Sequence, residues 1–218
     1  MKKGLCEFVF IIDRSGSMAG LEADTIGGFN AMIAKQKKLE GEAYVSVVLF
    51  DNDTRVLYDR TPIEKVREMT EEDYTVGGCT ALYDAIGGAI HHIGNVHKYA
   101  REEDRPERTL FFITTDGMEN ASRSYRRDRV REMIERQEKR YGWEFVFVAA
   151  NIDATEVAED IGIEPRRTAC YRATPRGTRA MYGAADRIVS ACRHVRDFDG
   201  EEISNILKDL EEDEDADA

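Results

Sequence analysis

The stretch FVFIIDRSGSM, residues 8–18, decides how the rest of the chain can be arranged. Its first five residues are all apolar, and such an unbroken run is typical of a strand buried on both faces, as in a parallel sheet. The run ends at Asp13, which a loop of small residues follows. A second stretch, TLFFITTDG at residues 109–117, repeats this arrangement and ends its strand before Asp116. The sequence therefore predicts two central strands, each with a carboxylate at its C-terminal end.

Helix-like and strand-like segments alternate on either side of these two stretches. Apolar residues recur at helical spacing in residues 21–39, 62–69, 82–93, 130–137, 154–161 and 175–192. Further strand-like runs lie at residues 44–50, 55–59, 143–150 and 167–171. The first two of these runs flank the turn residues 51–53 and predict an antiparallel hairpin. We therefore predict a doubly wound α/β fold, with a mostly parallel central sheet and helices on both faces.

The composition is that of a folded globular protein, with 42% hydrophobic and 34% charged residues in a chain of 218. No apolar run approaches the length that spans a bilayer. The N-terminus opens with MKK and a short strand-like run, and it lacks the apolar stretch of a secretory signal. We therefore expect a cytoplasmic protein that does not insert into membranes.

Charge is unevenly distributed along the chain. The formal net charge is −12, but nine acids and only one lysine follow residue 200, so the first 200 residues carry a net charge of −4. An acidic chain is a poor match for the phosphates of nucleic acids, so we expect no nucleic-acid partner. We predict one domain over residues 1–196 and a separate acidic C-terminal helix and tail over residues 197–218.

The cysteines are far apart in sequence: Cys6, Cys79, Cys170 and Cys192. None forms a C-x-x-C pair, which argues against the usual zinc-thiolate and redox-dithiol motifs. We expect free thiols that are mostly buried as small apolar side chains.

Oxygen-bearing side chains gather where the two central strands end. Alternate side chains of a loop can face one side, so Asp13, Ser15 and Ser17 offer one carboxylate and two hydroxyls to a common point. Thr80, in a glycine-bearing loop before a predicted helix, adds a hydroxyl, and Asp116 adds the second carboxylate. These hard oxygen ligands favour Mg²⁺, with Mn²⁺ or Ca²⁺ as alternatives, over zinc or copper.

The charge of this predicted site leaves one position for a further ligand. Two carboxylates balance the charge of one divalent ion, and the three hydroxyls are neutral. The ion can therefore accept another carboxylate, and water fills that position until one arrives.

Three blocks of sequence resemble the metal-ion-dependent adhesion site (MIDAS) of von Willebrand factor type A (vWA) domains. The blocks are FIIDRSGSM at residues 10–18, GCTALYDAI at residues 78–86 and TTDG at residues 114–117. They match the family's D-x-S-x-S motif, distal threonine and distal D-G, in the family's order and approximate spacing. The resemblance covers about residues 5–195 and is to standalone members from bacteria or phages. It departs from the family at Cys79, where members often carry glycine or a polar residue.

The resemblance implies a Rossmann-like sheet with one antiparallel edge strand, which the predicted hairpin supplies. It also implies that Ser15 and Ser17 bind the metal directly, and that Thr80 and Asp116 bind it directly or through water. An aspartate or glutamate of a partner protein then completes the coordination, so the implied function is metal-dependent protein binding without catalysis. For standalone bacterial members, the resemblance points to AAA+ ATPases or stress-response proteins as partners.

An enzymatic alternative comes from the same loop. A buried strand followed by Asp-x-Ser is compatible with a Mg²⁺-dependent phosphotransferase or phosphatase of the haloacid-dehalogenase type, with Asp13 as the nucleophile. That chemistry normally needs a second acid two residues later, where this chain has Ser15. The nearby histidines lack the spacing of a metal-binding pair, and we interpret them as the flank of a helix: His91, His92 and His97.

Other polar segments have simpler interpretations. Residues 51–53 are predicted to form a turn and not a second cation site, and residues 87–88 are predicted to let a helix pack closely against the sheet. The acidic residues 211–218 are interpreted as solubilising, and the alternative is that one of their carboxylates occupies the open metal position. A basic cluster is interpreted as a solvated helix face, with contact to an acidic partner as the alternative: Arg123, Arg126, Arg127, Arg129 and Arg131.

Overall fold

The computed structural model describes residues 1–194 and 200–215. Its strands are β1 (Lys2–Asp13), β2 (Ala43–Phe50), β3 (Thr54–Pro62), β4 (Pro106–Thr115), β5 (Glu144–Ala149) and β6 (Thr168–Cys170). They form one sheet in the order β3-β2-β1-β4-β5-β6. Strand β3 is antiparallel to β2, and the other neighbouring pairs are parallel. The direction of strand order reverses between β1 and β4, the point at which such folds hold their ligands.

Helices cover both faces of the sheet. They are α1 (Glu22–Gln36), α2 (Leu82–Tyr99), α3 (Arg127–Tyr141), α4 (Ala154–Asp160), α5 (Pro175–His194) and α6 (Gly200–Asp215). One buried core joins the sheet to α1, α5 and α6, and the other joins it to α2, α3 and α4. Strand β1 supplies both cores in alternation, since Phe8 and Phe10 face the first and Val9 and Ile11 face the second. The predicted doubly wound α/β fold with one antiparallel edge strand is therefore confirmed.

The prediction of a helix over residues 62–69 is wrong. Only a short 3₁₀ turn, Ile63–Lys65, forms there, although Val66 and Met69 are buried as their spacing suggested. The reason is a contact with α1: the Met69 N–H donates to Asn30 Oδ1 at 2.8 Å, and Asn30 Nδ2 donates to the Met69 carbonyl at 2.9 Å. These bonds occupy backbone groups that a helix would use internally.

The two glycines within α2 have different surroundings. A Cβ on Gly87 would overlap the ring of Tyr125, whereas a Cβ on Gly88 would meet no atom within 4 Å. Close packing thus explains Gly87. The neighbour is a side chain from the segment after β4, however, whereas the sequence predicts packing against the sheet. Nothing in the structure explains Gly88.

Helix α6 packs on the α1–α5 side of the sheet through buried apolar residues such as Ile203, Leu207 and Leu210. The domain boundary predicted at residue 196 and the last residues of the acidic tail, 216–218, lie outside the described residues. Within the described part of the chain, no helix is long and apolar enough to cross a membrane.

Candidate metal centre

The sheet brings the two predicted carboxylates to one edge. Strands β1 and β4 are parallel neighbours, with Ile12 opposite Thr114, so Asp13 at the end of β1 and Asp116 just after β4 emerge side by side. Both face the switch point at the C-terminal edge of the sheet, where the sequence predicted a shared crevice.

A chain of hydrogen bonds links the predicted ligands. Asp13 Oδ1 accepts from the Ser15 N–H at 2.7 Å, and the Ser15 and Ser17 hydroxyl oxygens are 3.1 Å apart. The Ser17 hydroxyl in turn donates to Asp116 Oδ1 at 2.6 Å. A Cβ on Gly117 would lie 3.3 Å from Thr80 Oγ1 and 3.5 Å from Ser17 Oγ, which brings the threonine hydroxyl to the same place. The five predicted residues therefore form one cup of oxygen atoms.

The two carboxylates of the cup are buried and have no positive partner among the residues that the structure describes. Asp13 is 0% exposed and Asp116 is 2% exposed. Asp13 Oδ2 accepts from the Thr115 hydroxyl at 2.6 Å, whereas Asp116 Oδ2 is buried and has no hydrogen-bond partner among the described residues. The adjacent Arg14 pairs with a different acid, and its Nη2 lies 2.9 Å from Asp51 Oδ2. Within the described part of the chain, every hydrogen-bond donor to these two carboxylates is thus neutral.

Burial raises the pKa of both carboxylates. It raises the pKa of Asp13, and the hydrogen bonds from Thr115 and Ser15 oppose the rise only in part. Burial also raises the pKa of Asp116, against the hydrogen bond from Ser17, and the negative charge of Asp13 raises it further. The cup is therefore a place where the protein alone stabilises negative charge poorly.

Three loops hold the cup together through their backbones. The Gly16 N–H donates to the Gly78 carbonyl at 3.1 Å, and the Gly77 N–H donates to the Arg14 carbonyl at 2.9 Å. On the other side, Thr80 and Asn120 exchange two bonds: the Thr80 N–H donates to Asn120 Oδ1 at 2.9 Å, and the Asn120 N–H donates to the Thr80 carbonyl at 3.0 Å. These bonds fix the loop of Thr80 against the other two.

The β2–β3 turn takes part in this bracing, which the sequence analysis missed. Asn52 Oδ1 accepts from the Cys79 N–H, and the Asp51 carbonyl accepts from the Ala81 N–H at 2.8 Å. Gly78 is required beneath it, since it has φ +76° and a Cβ there would lie 2.5 Å from Asn52 Oδ1. The turn is formed as predicted, but it also positions the loop that carries Thr80.

Several other candidate residues pair with groups outside the cup. His92 Nε2 is 2.8 Å from Asp59 Oδ1, and His97 contacts the buried Glu7. In the basic cluster, three arginines pair with neighbouring acids on helix surfaces: Arg127 with Asp160, Arg129 with Glu132 and Arg131 with Glu135. No group of three or more His, Cys, Asp or Glu suited to a metal occurs among the described residues. A metal in the cup would therefore depend on its hydroxyls as well as its two carboxylates.

No protein-family model and no curated protein matches this sequence. Solved structures do resemble it. Proximal thread matrix protein 1 of the mussel byssus, with a zinc-occupied MIDAS motif, is 15% identical with a TM-score of 0.57, over 84% of this chain and 46% of that one. A von Willebrand factor type A protein from Catenulispora acidiphila is 14% identical with a TM-score of 0.53, over 83% and 41%. Manganese-loaded TRAP of Plasmodium vivax is 15% identical with a TM-score of 0.54, over 83% and 73%.

This chain spans less than half of the length of the byssus and Catenulispora proteins that it matches. At such low identity, the likeness concerns the fold, and it agrees with the strand order and with the fold that the three sequence blocks predicted. The chain has the von Willebrand factor type A fold.

Proposed function

We propose that this protein is a metal-dependent protein-binding module, with one divalent ion held by Asp13, Ser15, Ser17, Thr80 and Asp116. The observation that carries the proposal is the pair of buried carboxylates that share one cup and have only neutral donors. Burying uncompensated charge is costly, and a divalent cation is the simplest source of compensation for two carboxylates.

The donor set fits a hard cation. It consists of carboxylate and hydroxyl oxygens, which suit Mg²⁺ and then Mn²⁺ or Ca²⁺. The buried Asp116 Oδ2 has no partner among the described residues, so one ligand atom is free to bind an ion without breaking an existing bond. The zinc and manganese in the byssus and Plasmodium structures belong to those proteins, and they support the choice of a divalent ion here.

The cup is open on the side away from the sheet. Ser17, Gly16 and Cys79 are exposed, although Asp13 and Asp116 behind them are buried. When bound, the ion supplies positive charge and an accessible position for one further oxygen ligand. An aspartate or glutamate on a partner protein suits that position in charge and chemistry. AAA+ ATPases and stress-response proteins are the partners that the family resemblance suggests.

The phosphotransferase alternative is not favoured by the local geometry. Asp13 is 0% exposed, and both of its carboxylate oxygens accept hydrogen bonds, from Ser15 and from Thr115. A nucleophile must reach its substrate with a free oxygen. Ser15 also occupies the place where that chemistry has the second acid, which serves as its proton donor.

Water-proton relaxation on the Mn²⁺-loaded protein tests the open position. Bound Mn²⁺ with an exchangeable water speeds relaxation of the solvent protons, and acetate that replaces this water should reduce the effect. We expect a saturable reduction with acetate and none with acetamide, which has the same size but no charge. Equal effects of the two, or turnover of p-nitrophenyl phosphate that disappears in Asp13→Ala, would argue against a carboxylate-binding module.

A further inference from the structure

Two cysteines that are far apart in sequence meet at the end of the sheet opposite to the metal cup. Cys6 lies near the start of β1 and Cys192 in the last turn of α5, and they are 3% and 1% exposed. The Cys6 thiol donates to the backbone carbonyl of Cys192, with Sγ 3.6 Å from the oxygen. The sequence argued against a redox dithiol because no C-x-x-C is present, but the fold creates a spatial pair.

Two arginines lie beside the thiol pair. Arg108 is directly opposite Cys6 on β4, and its Nη1 donates to the Cys192 carbonyl at 2.6 Å. Arg193 follows Cys192, and its guanidinium is fixed by bonds to carbonyls at the end of α1, including that of Gln36 at 2.6 Å. Both positive charges are thus held in place next to the sulfur atoms.

The surroundings separate the two thiols in acidity. The neighbouring Cys192 side chain lowers the pKa of Cys6, and the charges of Arg108 and Arg193 lower it further against the effect of burial. The Cys6 side chain and burial raise the pKa of Cys192. We therefore assign Cys6, which lies directly opposite Arg108 on the neighbouring strand, as the thiol that attacks an oxidant.

A cavity of about 190 Å³ leads to this pair. It is lined by both cysteines, by both arginines and by the exposed residues Gly4, Glu107 and His194. A peroxide of two oxygen atoms is little larger than water and fits a space of this size, whereas a folded protein thiol does not.

We propose that Cys6 and Cys192 form a reversible intramolecular disulfide, with hydrogen peroxide as the oxidant. The Cys6 thiolate attacks one peroxide oxygen, the O–O bond breaks, and a sulfenic acid and hydroxide form. The Cys192 sulfur then attacks Cys6 Sγ, and the sulfenic oxygen leaves with the Cys192 proton as water when the S–S bond forms. The hydroxide takes up the proton that Cys6 released when it formed its thiolate. The thiol pair loses two electrons, the peroxide gains them, and a dithiol reductant reverses the change.

The other two cysteines provide an internal contrast. Cys79 and Cys170 are exposed, and neither has a second thiol beside it in the described structure. Their oxidation therefore has no resolving partner within the chain. This proposal concerns the opposite end of the sheet from the cup, and it does not depend on the metal-binding function.

The test uses the full chain with Cys79→Ser and Cys170→Ser, which leaves only the buried pair. After treatment with one equivalent of hydrogen peroxide, we expect a product about 2 Da lighter and a peptide in which Cys6 is linked to Cys192. The melting temperature should rise by about 5 °C or more, because the bond closes a long loop of the unfolded chain, and dithiothreitol should restore the original value. A product that gains oxygen without a link, or no reaction under conditions that oxidise the exposed cysteines of the natural sequence, would overturn the proposal.

Four further variants on that background test the roles of individual groups. With Cys192→Ser the reaction should stop at a Cys6 sulfenic acid that dimedone traps, and with Cys6→Ser no link should form. Arg108→Gln should slow the loss of thiols at neutral pH by about fivefold, whereas Arg108→Lys, which keeps the charge, should change it less. Equal rates in the two Arg108 variants would contradict activation of Cys6 by the neighbouring charge.

Discussion

Strand β1 carries two buried carboxylates, and they differ in the charge of their partners. Glu7 near the start and Asp13 at the end are both 0% exposed. Glu7 has two basic neighbours, since Arg60 and His97 each contact one of its oxygens. Asp13 and its neighbour Asp116 have only hydroxyl and amide donors among residues 1–194 and 200–215. The negative charge of Glu7 is thus compensated by residues of this chain, whereas the charge of Asp13 and Asp116 calls for the positive charge that a bound cation would provide.

The backbone at the Glu7 end is distorted to deliver its cation. Arg60 has φ +44°, in the left-handed region that non-glycine residues seldom adopt, and its N–H donates to Ser46 Oγ at 2.9 Å. The pairing of β2 with β3 is irregular at this point. The fold therefore accepts local strain to compensate Glu7, while Arg14, next to Asp13, is paired with Asp51. The same strand thus provides its other buried acid, Glu7, with basic partners. The neutral surroundings of Asp13 therefore indicate that a bound cation supplies the positive charge at the cup.

The largest effect on stability is expected when the buried Glu7 loses one of its basic partners. Arg60→Met removes a partner of buried Glu7 and should reduce the free energy of unfolding by about 3 kcal/mol, which lowers the melting temperature by about 6–12 °C. Arg55→Met is the control on the same strand, since Arg55 is half exposed and lies 3.8 Å from Asp73. It should change stability by less than about 1 kcal/mol in the same thermal melts. Equal losses in the two variants would show that Glu7 does not need its cation.

At the metal cup, loss of a buried charge should have the opposite effect and stabilise the metal-free protein. Asp116→Asn removes a buried charge that has no positive partner, so the metal-free variant should be more stable than the wild type by about 1–2 kcal/mol. Saturating Mg²⁺ should reverse the ranking, because only the wild type gains about 2.7 kcal/mol at a hundredfold excess over its Kd. Thermal melts with EDTA and with Mg²⁺ measure both differences. A metal-free variant less stable than the wild type would contradict our account of the cup.

Loss of one neutral ligand should affect the ion more than the fold. Ser17 is exposed, and its hydroxyl binds Asp116, so Ser17→Ala should weaken Mg²⁺ binding by about tenfold or more, with little change in the metal-free melting temperature. Titration of Mg²⁺ against a competing dye gives the affinity. Ser122→Ala, which removes a hydroxyl bound to Glu119 on the neighbouring segment, is the control and should leave the affinity within about twofold.

The smallest effect should come from a bracing residue that does not bind the ion. Asn120→Ala removes the acceptor of the Thr80 N–H and should weaken Mg²⁺ binding by about threefold through the position of the loop. Asn30→Ala removes similar bonds to the Met69 backbone elsewhere in the structure. It should reduce stability by about 1 kcal/mol and leave metal affinity unchanged. If both variants affect Mg²⁺ binding equally, Asn120 has no particular role at the cup.

Features with a local sequence pattern could be predicted, and features made by distant contacts could not. Asp13 and Asp116 could be placed together because each follows a buried strand, and the helix over residues 154–161 could be predicted from its apolar spacing. Asn52 and Asn120 carry no such signal, since their partners lie 27 and 40 residues away.

The same limit explains the errors. Apolar spacing over residues 62–69 predicted burial correctly and backbone conformation wrongly, because Asn30 binds the Met69 backbone from another helix. The expectation that the cysteines are mostly buried holds for Cys6 and Cys192 and fails for Cys79 and Cys170. Only the folded sheet brings Cys6 and Cys192 together, 186 residues apart in sequence.

Calorimetric titration of Mg²⁺ and Mn²⁺ into the metal-stripped protein tests the central claim most directly. The matched variants are Asp13→Ala, in the cup, and Asp153→Ala, which removes an aspartate that follows a strand at the same edge of the sheet but caps a helix. We predict about one ion per chain for the wild type and for Asp153→Ala, and no binding for Asp13→Ala. No binding by the wild type, or equal binding by all three proteins, would contradict the claim that the cup holds a metal ion.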